Sequence, residues 1–283
     1  MRVPLRKARL LLLYTALIVL AFIALVPLAY LVSTSLKGYG ETITRVNPNP
    51  FNPEFWPEKP LFENYAEAWQ QGEGLGHNFV NSLIIAAITI VGIFATTIPA
   101  GYAFAKIPFS GRNFIFALFL GTLIIPETVL TLANFMTVTK LGWNNTLTAL
   151  TLPFFGSAFF IFFLRQFFKQ VPDSFIESAR MDGASTWSIL WKIAVPLAAA
   201  PLFTIGFLAF SASWNSLQWP LLVTNTETWR PISVGLTKFL SEAGPQTHLK
   251  MAASGITIIP VVLIYIIAQD QITEGVTNSG IKG

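Results

Sequence analysis

Six stretches of this chain, 10–36, 74–105, 113–126, 141–164, 193–226 and 251–269, contain no charged side chain. A helix needs about 20 largely apolar residues to cross about 30 Å of hydrocarbon, and most of the six suffice alone. The third does so by continuing past Glu127 to Thr139. Inside a bilayer no water satisfies a free N–H or C=O, and a helix closes those bonds within itself. The expected fold is an all-α integral membrane protein, one domain over 1–283, with spans near 10–33, 79–105, 113–138, 146–168, 197–223 and 251–270. Only 11% of the residues are charged, against about a quarter in a soluble domain.

The first stretch follows Arg2, Arg6, Lys7 and Arg9, as a secretory leader would. Its apolar part outruns the roughly 7 to 15 residues of a leader's core, and no small-residue cleavage site follows, so it reads as a retained span. With the N-terminus in the cytoplasm, 11 of the 18 Lys and Arg residues fall inside, among them Lys106, Arg112, Arg165, Lys169, Arg180, Lys192 and Lys282. The other seven fall outside, spread over longer loops, so the bias predicts cytoplasmic N- and C-termini. Basic residues arranged by membrane side do not imply nucleic acid. The chain has no Cys, which excludes disulfides and thiolate metal sites.

Residues 37–78 form an outer loop whose Pro48, Pro50, Pro53, Pro57 and Pro60 forbid one continuous helix. Within it, Leu61, Tyr65 and Trp69 recur every four residues, as in a short interfacial helix or a solvated loop with aromatics. Pro99, Pro126, Pro153, Pro201 and Pro220 fall inside the second to fifth spans. Each frees a carbonyl that a neighbouring helix, a hydroxyl or water must satisfy, which suits a bundle enclosing a cavity but also a plain structural one. Glu127 lies at membrane depth and is therefore a candidate for the transport pathway, with a solvated carboxylate near the outer side as its alternative.

Catalytic chemistry is missing. The stretch "GEGLGHN" at 72–78 has neither the lysine nor the preceding strand of a phosphate-binding loop. His77 and His248 stand far apart in predicted outer loops and form no metal site or triad.

The character changes between the fourth and fifth spans, over 170–196. Pro172, Asp173 and Ser174 signal a helix start, and Ser174 with Glu177 three residues on has the spacing of a capping box. The predicted helix is about nine residues long, with Phe175 and Ala179 on one surface and Ile176 and Arg180 near it. Gly183 supplies a left-handed cap, Ser185 starts a second helix with Trp187, Leu190 and Trp191 on one side, and Pro196 marks the return to the membrane. Helices this short rarely persist alone in water, so the unit must dock, either on the bilayer surface or on another protein.

Glu177-Ser178-Ala179, then Gly183, then Ile193-Ala194-Val195-Pro196 keep the spacing of the E-A-A, three residues, G, nine residues, I-x-L-P pattern. With "ENYAEAW", "FVNSLIIA", "AGYAFAKIPFSGR", "WNSLQWPLLV" and the ending "GVTNSGIKG", the chain resembles permease subunits of ATP-binding-cassette importers. Within them it is similar to the binding-protein-dependent carbohydrate branch, of the maltose-permease G type. Ser178 and Val195 replace the pattern's second Ala and its Leu.

The resemblance implies that 170–196 is a cytoplasmic coupling helix bearing Glu177, Ser178, Ala179, Asp182 and Gly183 against an ATPase. It implies weaker ATPase contacts at Gly280, Lys282 and Gly283, and a Trp-Asn pair at Trp214 and Asn215 that is structural or lines the pathway. The implied partners are a second permease in a heterodimer, two ATPase subunits holding ATP and Mg, an external solute-binding protein and membrane lipid. No cofactor of its own and no enzyme activity are implied, and the setting is a prokaryotic cytoplasmic membrane. A polyol or glycerol-phosphate permease is the alternative substrate reading. An ion-coupled transporter is the alternative mechanism, but it calls for several intramembrane carboxylates or histidines and for repeat symmetry.

Overall fold

In a computed structural model the described residues are 3–44, 47, 49–70, 74–242 and 245–280. Three helices are long and apolar enough to cross a membrane alone: α1 (Val3–Ser35), α4 (Leu75–Lys106) and α15 (Thr247–Gly280), the last over Thr247–Ile267. Three bent pairs complete the six expected spans. They are α5 (Arg112–Thr122) with α6 (Glu127–Lys140), Leu147–Phe154 with α8 (Ala158–Gln170), and Thr186–Leu197 with α12 (Ala199–Trp214), bent by 94°, 46° and 81°.

The chain divides into two compact units, 1–76 with 236–259 and 77–235 with 260–283. In the first, α1 ends where a loop caps its last carbonyls. Asn64 Nδ2 donates to Ser35 O at 2.8 Å and to Lys37 O at 2.9 Å, and Leu61 N–H donates to Leu36 O. Asn64 belongs to α3 (Glu63–Gln70), a short helix where the repeat left open a helix or a solvated loop. Asn64 and Ala68 are its buried residues, whereas Leu61 and Trp69 of the apolar repeat are exposed. The short helix α2 (Tyr39–Thr44) and a 3-10 turn at Pro53–Phe55 make up the rest of the loop. Lys37 Nζ donates to Glu54 O at 2.6 Å.

The second unit is organised by its prolines. Pro153 removes the N–H that would have bonded Ala149 O, and that carbonyl accepts instead from the Trp219 indole N–H at 2.9 Å. Pro220 likewise frees Ser216 O, which accepts from the Ser233 hydroxyl at 2.6 Å. Pro126 stands at the break after α5, and Glu127 opens the next helix. At the break before α8 the Thr96 hydroxyl donates to Phe155 O. The carbonyls freed by Pro153 and Pro220 are thus met by donors from elsewhere in the chain.

One expectation needs correction. The fifth span was placed at 197–223, but helix α12 stops at Trp214 and a separate helix, α13 (Gln218–Val223), follows. Asn215 Nδ2 caps the end of α12 on Ser211 O at 2.8 Å, and the Pro220 ring crowds the carbonyl of Ser216, where the helix is interrupted. Below α13, Trp219 and Val223 pack with Ile85, Val138, Ala149 and Leu150 of α4, α6 and α7 (Leu147–Thr151). The two histidines also lie elsewhere than expected: His77 is in the first turn of α4, with Nε2 3.1 Å from Thr228 O, and His248 is in the first turn of α15. Asn81 Nδ2 holds Thr228 O and Arg230 O at 3.1 Å each, and Ser82 Oγ accepts Ile232 N–H, which fixes the approach to α14 (Ile232–Glu242).

Removing a donor at a proline break leaves a buried carbonyl unsatisfied, at a cost of about 1–3 kcal/mol. Trp219→Phe and Ser233→Ala are therefore expected to lower the thermal unfolding midpoint of the detergent-solubilised protein, while Gly121→Ala, whose Cβ would meet nothing within 4 Å, leaves it unchanged.

Candidate functional site

The site begins at a joint. Helix α8 ends at Gln170, and Val171 and Pro172 are extended, with ψ of 123° and 133°. Helix α9 (Asp173–Met181) then runs for nine residues, the length read from the sequence. Its start differs from that reading. Pro172 is the N-cap, no side chain caps the helix, and Ser174 sits inside the first turn, so the Ser174–Glu177 capping box does not form. Asp173 takes the first helical position because the fixed φ of Pro172, −60°, already leads into a helix one residue earlier.

At its other end α9 closes as expected. Gly183 has φ +81°, a left-handed conformation that glycine enters without a Cβ clash. Gly183 N–H donates to Arg180 O at 3.0 Å and Ala184 N–H to Ala179 O at 2.9 Å, the two bonds of a Schellman cap. Ser185 Oγ then accepts Ser188 N–H at 3.2 Å and starts α10 (Thr186–Ile189).

The second helix departs from the sequence reading twice. It passes through a π-helical turn at Leu190–Ala194 into α11 (Val195–Leu197), so Pro196 continues the helix, and the sharp bend falls at Ala198, which is 2% exposed. A wider turn ahead of Pro196 tolerates the N–H that proline lacks. Leu190 also does not share a side with the tryptophans. It is buried beside Ile189, whereas Trp187 and Trp191 are exposed, their rings paired edge to face at 5.7 Å.

The insert therefore has two faces. Ile176, Ile189, Leu190 and Ala194 join Ile98 and Tyr102 of α4 and Leu164 and Phe168 of α8 in one core, with Ala179 and Ala184 packed against it. The other face presents Met181 at 88% exposure, Trp187 at 60% and Phe175 at 55%, beside the exposed Glu177, Ser178, Arg180, Asp182 and Gly183. A surface of this kind joins apolar anchors to charges of both signs, as protein interfaces do.

Two cations hold this region in ways the sequence did not disclose. Lys106, the last residue of α4, is 7% exposed and donates to Val171 O at 2.6 Å and to Asp173 Oδ1 at 2.7 Å. Arg165 of α8 donates through Nε to Phe104 O at 3.1 Å and lies 3.9 Å over the Phe116 ring of α5. Their partners lie 67 and 61 residues away for Asp173 and Phe104, beyond the reach of any local spacing rule.

The remaining candidates are not gathered at the insert. Glu127 is exposed in the first turn of α6, where a carboxylate suits the positive end of the helix. Trp214 is 3% exposed, stacked on Phe210 at 5.5 Å and edge-on to Phe79 at 5.4 Å, and Asn215 caps α12. Trp214 is the last of the sixteen residues of α12, at the end remote from the bend at Ala198. Gly280 ends α15, and Lys282 and Gly283 lie outside the described residues.

A broken-helix bundle with a two-faced helical insert is the architecture of a membrane permease component. The family model for the binding-protein-dependent transport system inner membrane component matches residues 97–278, and the chain belongs to that family. It is a multi-pass inner-membrane transport subunit and not an enzyme. Among its relatives, the arabinooligosaccharides transport system permease protein AraQ of Halalkalibacterium halodurans is 32% identical over 264 residues, 93% of either chain. The sn-glycerol-3-phosphate transport system permease protein UgpE of Yersinia pestis is 31% identical over 230 residues, 79% of this chain and 82% of the relative. In fold it matches a chain of a bacterial ABC transporter involved in the import of the acidic polysaccharide alginate, with a TM-score of 0.81 at 24% identity, over 94% of this chain and 97% of that one.

A side chain with a Cβ at φ +81° incurs about 1–2 kcal/mol of strain. Gly183→Ala is expected to speed hydrogen exchange at amides 183 and 184 severalfold relative to the amides of α4. Gly183→Asn, which tolerates the left-handed region, should do so less.

Proposed function

We propose that this chain forms half of the translocation pathway of an ATP-driven importer, through which a mono- or oligosaccharide delivered by an external binding protein crosses the membrane. A second permease completes the pathway, and two ATPase subunits, holding ATP and Mg, drive it. Residues 170–196 lie in the cytoplasm with both termini, and their exposed face docks on an ATPase through Glu177, Ser178, Asp182 and Gly183. Ala179 serves the same contact from behind, its small side chain letting α9 sit close on the chain's own core.

The observation that carries this reading is the pair of faces on the insert. One is built into the core of the spans, and the other leaves Phe175, Met181 and Trp187 uncovered among charges. A surface fixed to the spans and open to a partner is what a drive from outside the membrane needs. The bond from Lys106 to Asp173 supports one assumption, that the end of α4 and the insert share a side of the membrane. ATP binding and hydrolysis then act by favouring one arrangement of the spans over the other, each state binding the partners with different affinity.

Glu127, exposed at the sharpest break, is the pathway candidate among the spans, while the buried ring stack around Trp214 suits a structural role. Gly280 and the tail beyond it add contacts to the ATPase. The carbohydrate assignment draws on the arabinooligosaccharide relative. Glycerol phosphate is the second reading, on the strength of the glycerol-3-phosphate relative.

The test is uptake into proteoliposomes holding the assembled transporter, with binding protein outside and ATP inside. Labelled oligosaccharide is expected to enter, to continue entering when an ionophore collapses ion gradients, and to be unaffected by excess glycerol 3-phosphate. Uptake abolished by the ionophore at clamped ATP would instead establish ion coupling.

A further inference from the structure

We infer that Lys106 is the positioning residue that joins the insert to α4, a span with which it has no covalent connection. The inference rests on the reading of 170–196 as the ATPase-facing unit.

The chain itself ties the insert to two helices only, α8 before it and α12 after it. Movement delivered to α9 would reach α4 through side chains or not at all. The shared apolar core supplies one such route, and Lys106 adds a polar one at the extended joint Val171–Pro172. Its ammonium takes one acceptor on each side of the joint, Val171 O at the end of α8 and Asp173 Oδ1 at the start of α9. Pro172 offers no N–H there and no side chain caps α9; the lysine, a donor only, does not cap the helix but holds one acceptor on each side of the joint.

The surroundings make the link stiff. The Lys106 side chain is 7% exposed, and Tyr102, one turn earlier on the same face of α4, lies at 2% exposure in the core that also holds Ile176 of α9. A buried ammonium with two oxygen acceptors is costly to part from either, because a charge left unpaired in a low-dielectric site has no compensating solvent. The carboxylate of Asp173 is 74% exposed, so the bond to the Val171 carbonyl is the better shielded of the two. Lys106 thus holds α4, α8 and α9 as one body at this end, and a push on the exposed face of α9 is carried into α4.

The experiment uses the assembled transporter in proteoliposomes, reading substrate transported per ATP hydrolysed, for wild type, Lys106→Met, Lys106→Arg and Asp173→Asn. Lys106→Met is expected to keep its ATPase bound and hydrolysing while the ratio falls at least about fivefold, the lower end of usual coupling energies. Lys106→Arg, which still reaches both acceptors, should recover most of it, and Asp173→Asn should show a smaller loss. An unchanged ratio in both Lys106→Met and Asp173→Asn overturns the inference. If Lys106→Met fails to assemble, Asp173→Asn decides, because its side chain is mostly in solvent.

A second readout is independent of any ATPase. The native chain has no Cys, so spin labels at Ser110→Cys and Ser174→Cys report only the separation of these two segments in the full chain. A narrow distance distribution that broadens on Lys106→Met supports the link, and equal widths refute it. A narrow distribution in a chain that never recruits an ATPase would sink the reading of the insert while leaving the link intact.

Discussion

The bilayer interior supplies no water to a free carbonyl, and the arrangement of this chain follows from how it meets that condition where its helices break. Proline removes a backbone donor and crowds the turn before it. Here the carbonyls released by Pro153 and Pro220 are taken up by Trp219 and Ser233, each from a different element of the chain. Every such bond fixes one broken segment against another, so the interruptions specify the packing of the spans. A continuous helix needs no partner to satisfy its backbone. Proline alone does not break a span, since α1, α4 and α15 run on through Pro27, Pro99 and Pro260.

The same logic brings the insert into the body of the protein. A nine-residue helix is too short to persist alone in water. Its stability comes from Ile176, Ile189, Leu190 and Ala194, which extend the core of α4 and α8, and from the Schellman cap at its C-terminal end. The Lys106 bonds lock the joint that precedes it. What remains outside is a surface already ordered before any partner arrives, so docking incurs little of the entropy of arranging it.

Local rules were legible in the sequence where a residue acts on its own backbone. Gly183 as a left-handed cap, Ser185 as an N-cap and the nine-residue length of α9 all depend on neighbours within a few positions. The six apolar stretches announced the spans for the same reason. The failures share a different cause. Ser174 has the right spacing for a capping box, yet Pro172 pre-sets the helix and Asp173 is drawn to Lys106, 67 positions away. Leu190 has the helical spacing of the tryptophans, but burial beside Ile189 and a π turn rotate it inward. The end of α12 at Trp214 depends on Asn215 and on the hydroxyl of Ser233, which periodicity cannot reveal. Of the five residues that the pattern proposes for coupling, the fold exposes Glu177, Ser178, Asp182 and Gly183 and packs Ala179 inward, a division that spacing alone does not carry.

The exposed face of α9 is proposed as an ATPase contact. Its most direct measurement is recovery of the native complex in mild detergent on the tagged chain, with Met181→Glu in parallel. Met181 is 88% exposed, so a charge there leaves the fold intact while opposing an apolar contact. The account predicts that wild type brings down both an ATPase and a second permease, and that Met181→Glu keeps the permease and loses the ATPase. Equal recovery of the ATPase with both chains, or none with wild type under any gentle condition, would contradict it.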